Sequence, residues 1–152
     1  MAEVNVTRTK LAQVAGTKSP AASLNGRRCA VIETAAVYAA PAQNDIAGTE
    51  IYLPKGARVV LPVTVSCAAG TASSTLSVGI RDAVTKVAVD ATAIVNAAAI
   101  NAAATAQFNT GTKLITGQTY LMPQDVEIYL TFSGAVGTAN QAIRVEVDFV
   151  AG

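Results

Sequence analysis

The chain has 152 residues, 14% of them charged and 5% aromatic, with no tryptophan, no histidine and a formal net charge of +1. That length fits one domain. Without histidine the chain lacks the commonest general base and the commonest metal ligand, and a core of small aliphatic side chains suits two packed sheets better than a deep aromatic pocket.

The net charge hides a split. Met1 to Arg28 holds Arg8, Lys10, Lys18, Arg27 and Arg28 against Glu3, a net of +4, and the remainder carries −3. This first segment has no aromatic residue and no sustained period, so it cannot bury enough apolar surface to order itself. The sequence predicts a flexible, extended, basic arm over residues 1–27 that orders on an acidic neighbour, with Arg8, Lys10, Lys18, Arg27 and Arg28 as its contact residues. No apolar run follows the early cations, so no secretory signal is expected.

From Arg28 to Gly152 the chain predicts one β-sandwich domain. Eight strand candidates follow one another with turn signals between them. Arg28 to Tyr38 and Glu50 to Leu53 come first. Then the Pro54-Lys55-Gly56 turn releases into Arg58 to Cys67, whose Val59, Leu61, Val63, Val65 and Cys67 share one face. Pro62 removes a ladder donor from that strand, which predicts a sheet edge or a bulge. Thr75 to Asp82 points Leu76, Val78 and Ile80 inward. Val84 to Val89 and Gln107 to Ile115 are less regular. Between them, Ala91 to Ala106 is Ala-rich and predicts a short helix in a sheet-to-sheet connection; Asn96 and Asn101 interrupt it well below the ~20 apolar residues of a membrane span. Two late runs alternate cleanly. Val126, Ile128, Leu130 and Phe132 face inward against Glu127, Tyr129 and Thr131, and Ile143, Val145, Val147 and Phe149 face inward against Arg144, Glu146 and Asp148. The fold class is therefore all-β: a two-sheet antiparallel, jelly-roll-like sandwich with a flexible N-terminal arm. A seven-stranded immunoglobulin-like sandwich is the alternative.

No constellation of these residues points to a reaction. Asp125 with Glu127, and Glu146 with Asp148, are same-face carboxylate pairs of the kind a glycosidase uses. Each sits on the polar face of an alternating strand, which predicts solvated charge. Asp45, Asp82 and Asp90 lie near turns without forming a dense calcium loop. Gly70-Thr71-Ala72 and Gly134-Ala135-Val136-Gly137-Thr138 read as hairpin turns rather than phosphate loops. Cys29 and Cys67 read as small buried hydrophobes. The arm is basic but has no stacking platform beside it, so direct nucleic-acid binding is not expected. No catalytic, metal-binding or cofactor-binding residue follows, and the chain reads as a non-enzyme.

Asn44-Asp45-Ile46 leading to Tyr52-Leu53-Pro54-Lys55-Gly56-Ala57-Arg58-Val59, then Ser77-Val78-Gly79-Ile80-Arg81-Asp82, and the closing Ile143-Arg144-Val145-Glu146-Val147-Asp148-Phe149-Val150 give the chain a resemblance to the small decoration, or cement, proteins of tailed-phage heads. The resemblance spans Arg28 to Gly152. It implies a jelly-roll body on the capsid exterior, made in the host cytoplasm. It also implies a homo-oligomer, dimer or trimer, that clamps neighbouring major capsid subunits, with no membrane partner and no catalytic residues. A carbohydrate-binding or adhesion jelly roll, such as a head fibre component, is the second reading. Sugar sites favour exposed aromatic platforms, and only Tyr38, Tyr52, Tyr120 and Tyr129 are outward candidates.

Overall fold

The computed structural model describes residues 27–114 and 120–151. Eight strands, β1 (Arg28–Glu33), β2 (Ile46–Leu53), β3 (Arg58–Cys67), β4 (Thr75–Asp82), β5 (Ala88–Ala99), β6 (Ala104–Phe108), β7 (Val126–Ser133) and β8 (Ile143–Val150), form two four-stranded antiparallel sheets. Their orders are β1-β8-β3-β6 and β2-β7-β4-β5. Among consecutive strands only β4 and β5 are neighbours within a sheet; every other connection crosses from one sheet to the other. Eight strands wound this way form a jelly roll.

Alternation is what builds it. Along each strand, every second side chain enters the space between the sheets, where Leu53, Val59, Val63, Leu76, Val78, Ile80, Val126, Ile128, Val145 and Val147 are fully buried. Phe132 is the one phenylalanine among the buried core residues described. Close-packed small aliphatic side chains therefore supply the burial that larger rings supply elsewhere.

The residues 91–106 do not form a helix. They belong to β5 and β6, and Ala93, Ile94, Val95, Ala98 and Ile100 are at most 1% exposed. Alanine favours a helix locally, but a helix there has too little apolar surface to pack, and tertiary burial decides. Twelve residues of β5 lie against eight of β4, with three register shifts between them. These bulges blur the period-two signal that would have marked the strand. Neighbouring expectations shift with it: Val84 to Val87 form a turn rather than a strand, and β6 ends at Phe108, so Gln107 to Leu114 is mostly loop. Ile115 lies outside the described residues. β1 stops at Glu33, short of Tyr38, and β2 starts earlier than Glu50. Pro62 lies at a register shift between Val60 and Thr64 in β3, an interior strand, so the bulge reading is the right one of the two.

The two glycine-containing strings join sheets rather than hairpins, since β3 to β4 and β7 to β8 are crossings. At that end of the sandwich four connections meet on Gln141, which is 4% exposed. Its Nε2 donates to the carbonyls of Ala68 and Ile100, both at 2.7 Å. Its own carbonyl accepts from Thr34 Oγ1 at 2.8 Å and Tyr38 OH at 2.6 Å. One buried side chain thus satisfies carbonyls from two loops, while its backbone holds a third.

Candidate functional site

The opposite end of the sandwich carries the basic residues closest to the chain's entry. Arg27 donates from Nη2 to Asp148 Oδ2 at 2.7 Å, and Arg28 opens β1, exposed, in register with Phe149. Arg58 opens β3 in register with Val150, on the other side of β8. Exposed Lys55 lies in the adjoining turn. In the sequence Arg58 only opens a strand; the strand order β1-β8-β3 shows that it shares this end with Arg27 and Arg28. Arg8, Lys10 and Lys18 lie outside the described residues.

The outer face of the second sheet departs from expectation. Glu127 is not solvated; it is fully buried. Its Oε2 accepts from Arg81 Nε at 2.9 Å and from Lys86 Nζ at 2.7 Å, and its Oε1 accepts from the Glu50 amide at 3.0 Å. Arg81 reaches it across the ladder, in register on β4, and Lys86 from the β4–β5 turn. The missing Cβ of Gly48 leaves the space that the Arg81 guanidinium fills. Tyr129, also buried, lies 5.6 Å from the Arg81 guanidinium carbon, and Tyr52 lies 5.1 Å beneath the Lys86 ammonium. Hydrogen bonds from Arg81, then from Lys86 and Glu50, outweigh desolvation and hold the Glu127 carboxyl at about 2, below its ordinary 4.5.

A carboxylate so anchored is a poor general base and never a general acid near neutral pH. Nor does it line any of the clefts described below. The cluster is a clasp that fixes β2, β4, β7 and the β4–β5 turn together. Glu146 and Asp148 do follow the polar-face reading, being only partly buried on β8.

The turn aspartates have structural occupations. Asp82 Oδ1 accepts from the amides of Val84 and Thr85 at 2.8 and 2.6 Å, and its Oδ2 from Gln124 Nε2 at 2.6 Å. Asp90 accepts from the Thr92 amide at 2.8 Å and Thr112 Oγ1 at 2.6 Å. Asp45 Oδ2 accepts from the Ala42 amide at 2.8 Å. Among the described residues no group of three His, Cys, Asp or Glu side chains could hold a metal. The cysteines correct another expectation: both are free, Cys29 is exposed on the edge strand β1, and Cys67 is only partly buried. Of the four tyrosines, Tyr129 is buried, Tyr38 is tied to Gln141, and Tyr120 is partly buried against the core with the Lys113 ammonium 5.4 Å from its ring, leaving Tyr52 as the exposed ring at 49%.

Two hollows among the described residues are of a size to consider. One of about 600 Å³ lies along the β1/β2 flank, with Val31, Ile32, Ile51, Leu130 and Phe132 in its walls. Another of about 500 Å³ lies on the first sheet between Glu33, Ser66, Cys67, Thr105 and Arg144. Neither gathers a nucleophile, a base and an oxyanion donor.

The fold has counterparts in phage capsids. A chain in the solved capsid of Ralstonia phage GP4 matches with a TM-score of 0.63 at 18% identity, over 84% of this chain and 85% of that one. A chain in the capsid asymmetric unit of cyanophage Pam1 matches with a TM-score of 0.58 at 19% identity, over 84% and 86% of the two chains. No protein-family model and no curated protein matches the sequence. At these identities the likeness is one of fold, over 84% of the chain.

Proposed function

We propose that the protein is a structural, non-enzymatic virion component that binds the outside of a phage capsid and cements neighbouring major capsid subunits against internal pressure. The observation that carries this reading is the likeness of the fold, over 84% of the chain, to chains of two phage capsids. The cement role rests further on the basic segment, residues 1–27, joined to a body that is acidic overall. Arg8, Lys10, Lys18, Arg27 and Arg28 reach acidic ground on the shell, and many copies in a symmetric oligomer multiply a modest contact by avidity. Among the described residues, the buried Glu127 carboxylate and the turn aspartates are engaged by partners within the body, which supports a structural role.

The test uses purified virions and purified protein. Mass spectrometry should find the chain in virions, and heads stripped of it should release DNA at a lower temperature than decorated heads. Charge reversal at Arg8, Lys10 and Lys18 should lower occupancy, and added salt should do so more weakly, because exposed charges are screened beyond about 8 Å at physiological ionic strength. Virions without the chain, or stripped heads as heat-resistant as decorated ones, would sink the reading.

A further inference from the structure

The two flanks of the sandwich are finished differently. At the β5/β6 flank the chain covers the edge of β5: the amides of Thr112 and Lys113 donate to the carbonyls of Thr92 and Ala93 at 2.9 and 3.2 Å, and Thr110 Oγ1 accepts from the Asn96 amide at 3.1 Å. Gly111 lets this segment lie directly on the backbone of Ala93 and Ile94, where a Cβ would collide with their carbonyls. At the β1/β2 flank, among the described residues, β1 pairs only with β8 and β2 only with β7. Two edges therefore stand open side by side, with the apolar hollow of about 600 Å³ between them. Open edges beside apolar surface are a template for strand addition.

We infer that this hollow seats residues 1–26 of a second copy of the chain. The charge fits: among the described residues the charged ones lining it are Glu33, which also pairs with Arg144, and Asp45, while residues 1–26 carry Arg8, Lys10 and Lys18 against Glu3. The apolar chemistry fits as well, because Val4, Val6, Leu11 and Val14 interrupt that polar segment, and Val4 and Val6 are spaced to face one side of a strand. Reach is ample, since 26 extended residues span up to about 90 Å. Chain direction selects a neighbour's hollow. The segment joins β1 at Arg28, opposite Phe149, whereas the hollow opens towards the far end of β1, around Glu33 and the β1–β2 connection. The described chain therefore starts at the end of β1 remote from its own hollow. Reciprocal exchange would cover both open edges in every copy.

The inference rests on the proposed oligomeric state and gives Arg8, Lys10 and Lys18 a seat on a neighbouring copy in place of the shell contact proposed above; its test needs no capsid, so its failure leaves the capsid reading standing. Full-length protein, half of it labelled with ¹⁵N, is mixed after mild dissociation and treated with a zero-length carbodiimide that couples lysine to carboxylate. Lys10 or Lys18 should be found joined to Glu33 or Asp45 in peptides pairing one heavy and one light chain. Ile51→Arg, placed in the apolar wall, should lose most of these links, and Val84→Asp, on an exposed turn at the other end, should keep them. Should Ile51→Arg fail to fold, the wild-type cross-links decide alone. Links only between chains of like label would mean that each chain seats its own segment, and links absent or directed elsewhere would mean the hollow is not the seat; either result overturns the inference.

Discussion

Strands β7 and β8 carry the same kind of sequence and end in different environments. Both alternate apolar with polar residues, and both are interior strands, β7 between β2 and β4 and β8 between β1 and β3. On β8 the outward charges stay at the surface: Arg144 bridges Glu33 and Glu146 with all three side chains well exposed. On β7 the outward Glu127 and Tyr129 are buried under Arg81, Lys86 and Tyr52. The difference lies in what the neighbouring strands send over the face. β4 contributes a long cation, its following turn a second one, and β2 a glycine opposite Tyr129, whereas β8 has the six-residue edge strand β1 on one side. The polar face of a strand is thus a surface only if its neighbours leave it one.

The largest effect expected from this contrast is on stability. Glu127→Ala removes the one acceptor shared by Arg81 and Lys86 and leaves the guanidinium buried without a partner. Breaking such a pair costs about 3–5 kcal/mol. Glu146→Ala, the corresponding outward carboxylate on β8, should stay within about 1 kcal/mol, as exposed pairs do. Urea unfolding of both variants against the wild type checks the pair, and equal losses would break the comparison. The double variant Arg81→Met with Glu127→Leu sharpens it. If the cost of the single change is an orphaned charge, replacing both partners with apolar side chains should recover most of it.

The jelly-roll class and the core positions were legible because they follow from a period of two, and β3, β4, β7 and β8 show that period plainly. Two things were not. The bulged strand β5 hid behind alanine, since Ala93 and Ala98 mark helix propensity and strand burial alike. The Glu127 clasp depends on Arg81 and Lys86, 46 and 41 residues away, and on the order β2-β7-β4, which no local pattern encodes. The order β1-β8-β3 of the other sheet likewise explains why Arg58 joined Arg27 and Arg28 at one end of the molecule unannounced. Gln141, an unremarkable residue in a polar loop, became a buried tie for the same reason: its partners come from other connections.

A second, smaller effect is on pH dependence. The Glu127 carboxyl titrates at about 2 in the folded chain against an ordinary 4.5. A depressed carboxylate stabilises the fold fully above its unfolded value and loses that contribution as pH falls through its folded one. The clasp should therefore be at full strength above pH 4.5 and weaken between there and pH 2. Glu127→Gln cannot ionise, so its urea midpoint should lie below that of the wild type at pH 6 and converge on it as pH approaches 2. A gap that stays constant over this window would mean that the carboxylate charge contributes nothing to the clasp.

The smallest effect expected is that of salt, and it separates the two faces most cleanly because it acts on exposure alone. Mobile ions reach Arg144, Glu33 and Glu146, whose side chains are 45%, 60% and 39% exposed. They do not reach the Glu127 carboxylate. At high ionic strength the Debye length contracts to about 3 Å, and exposed pairs lose most of their Coulomb attraction while buried ones are little affected. Salt also shifts overall stability through apolar hydration, so the informative quantity is a difference between variants at each concentration. The small destabilisation caused by Arg144→Met at low salt should vanish at 1 M sodium chloride. The loss caused by Glu127→Ala should persist there nearly unchanged. If salt instead erased the Glu127 effect, water and ions would have access to the clasp, and the burial that distinguishes β7 from β8 would not hold in solution.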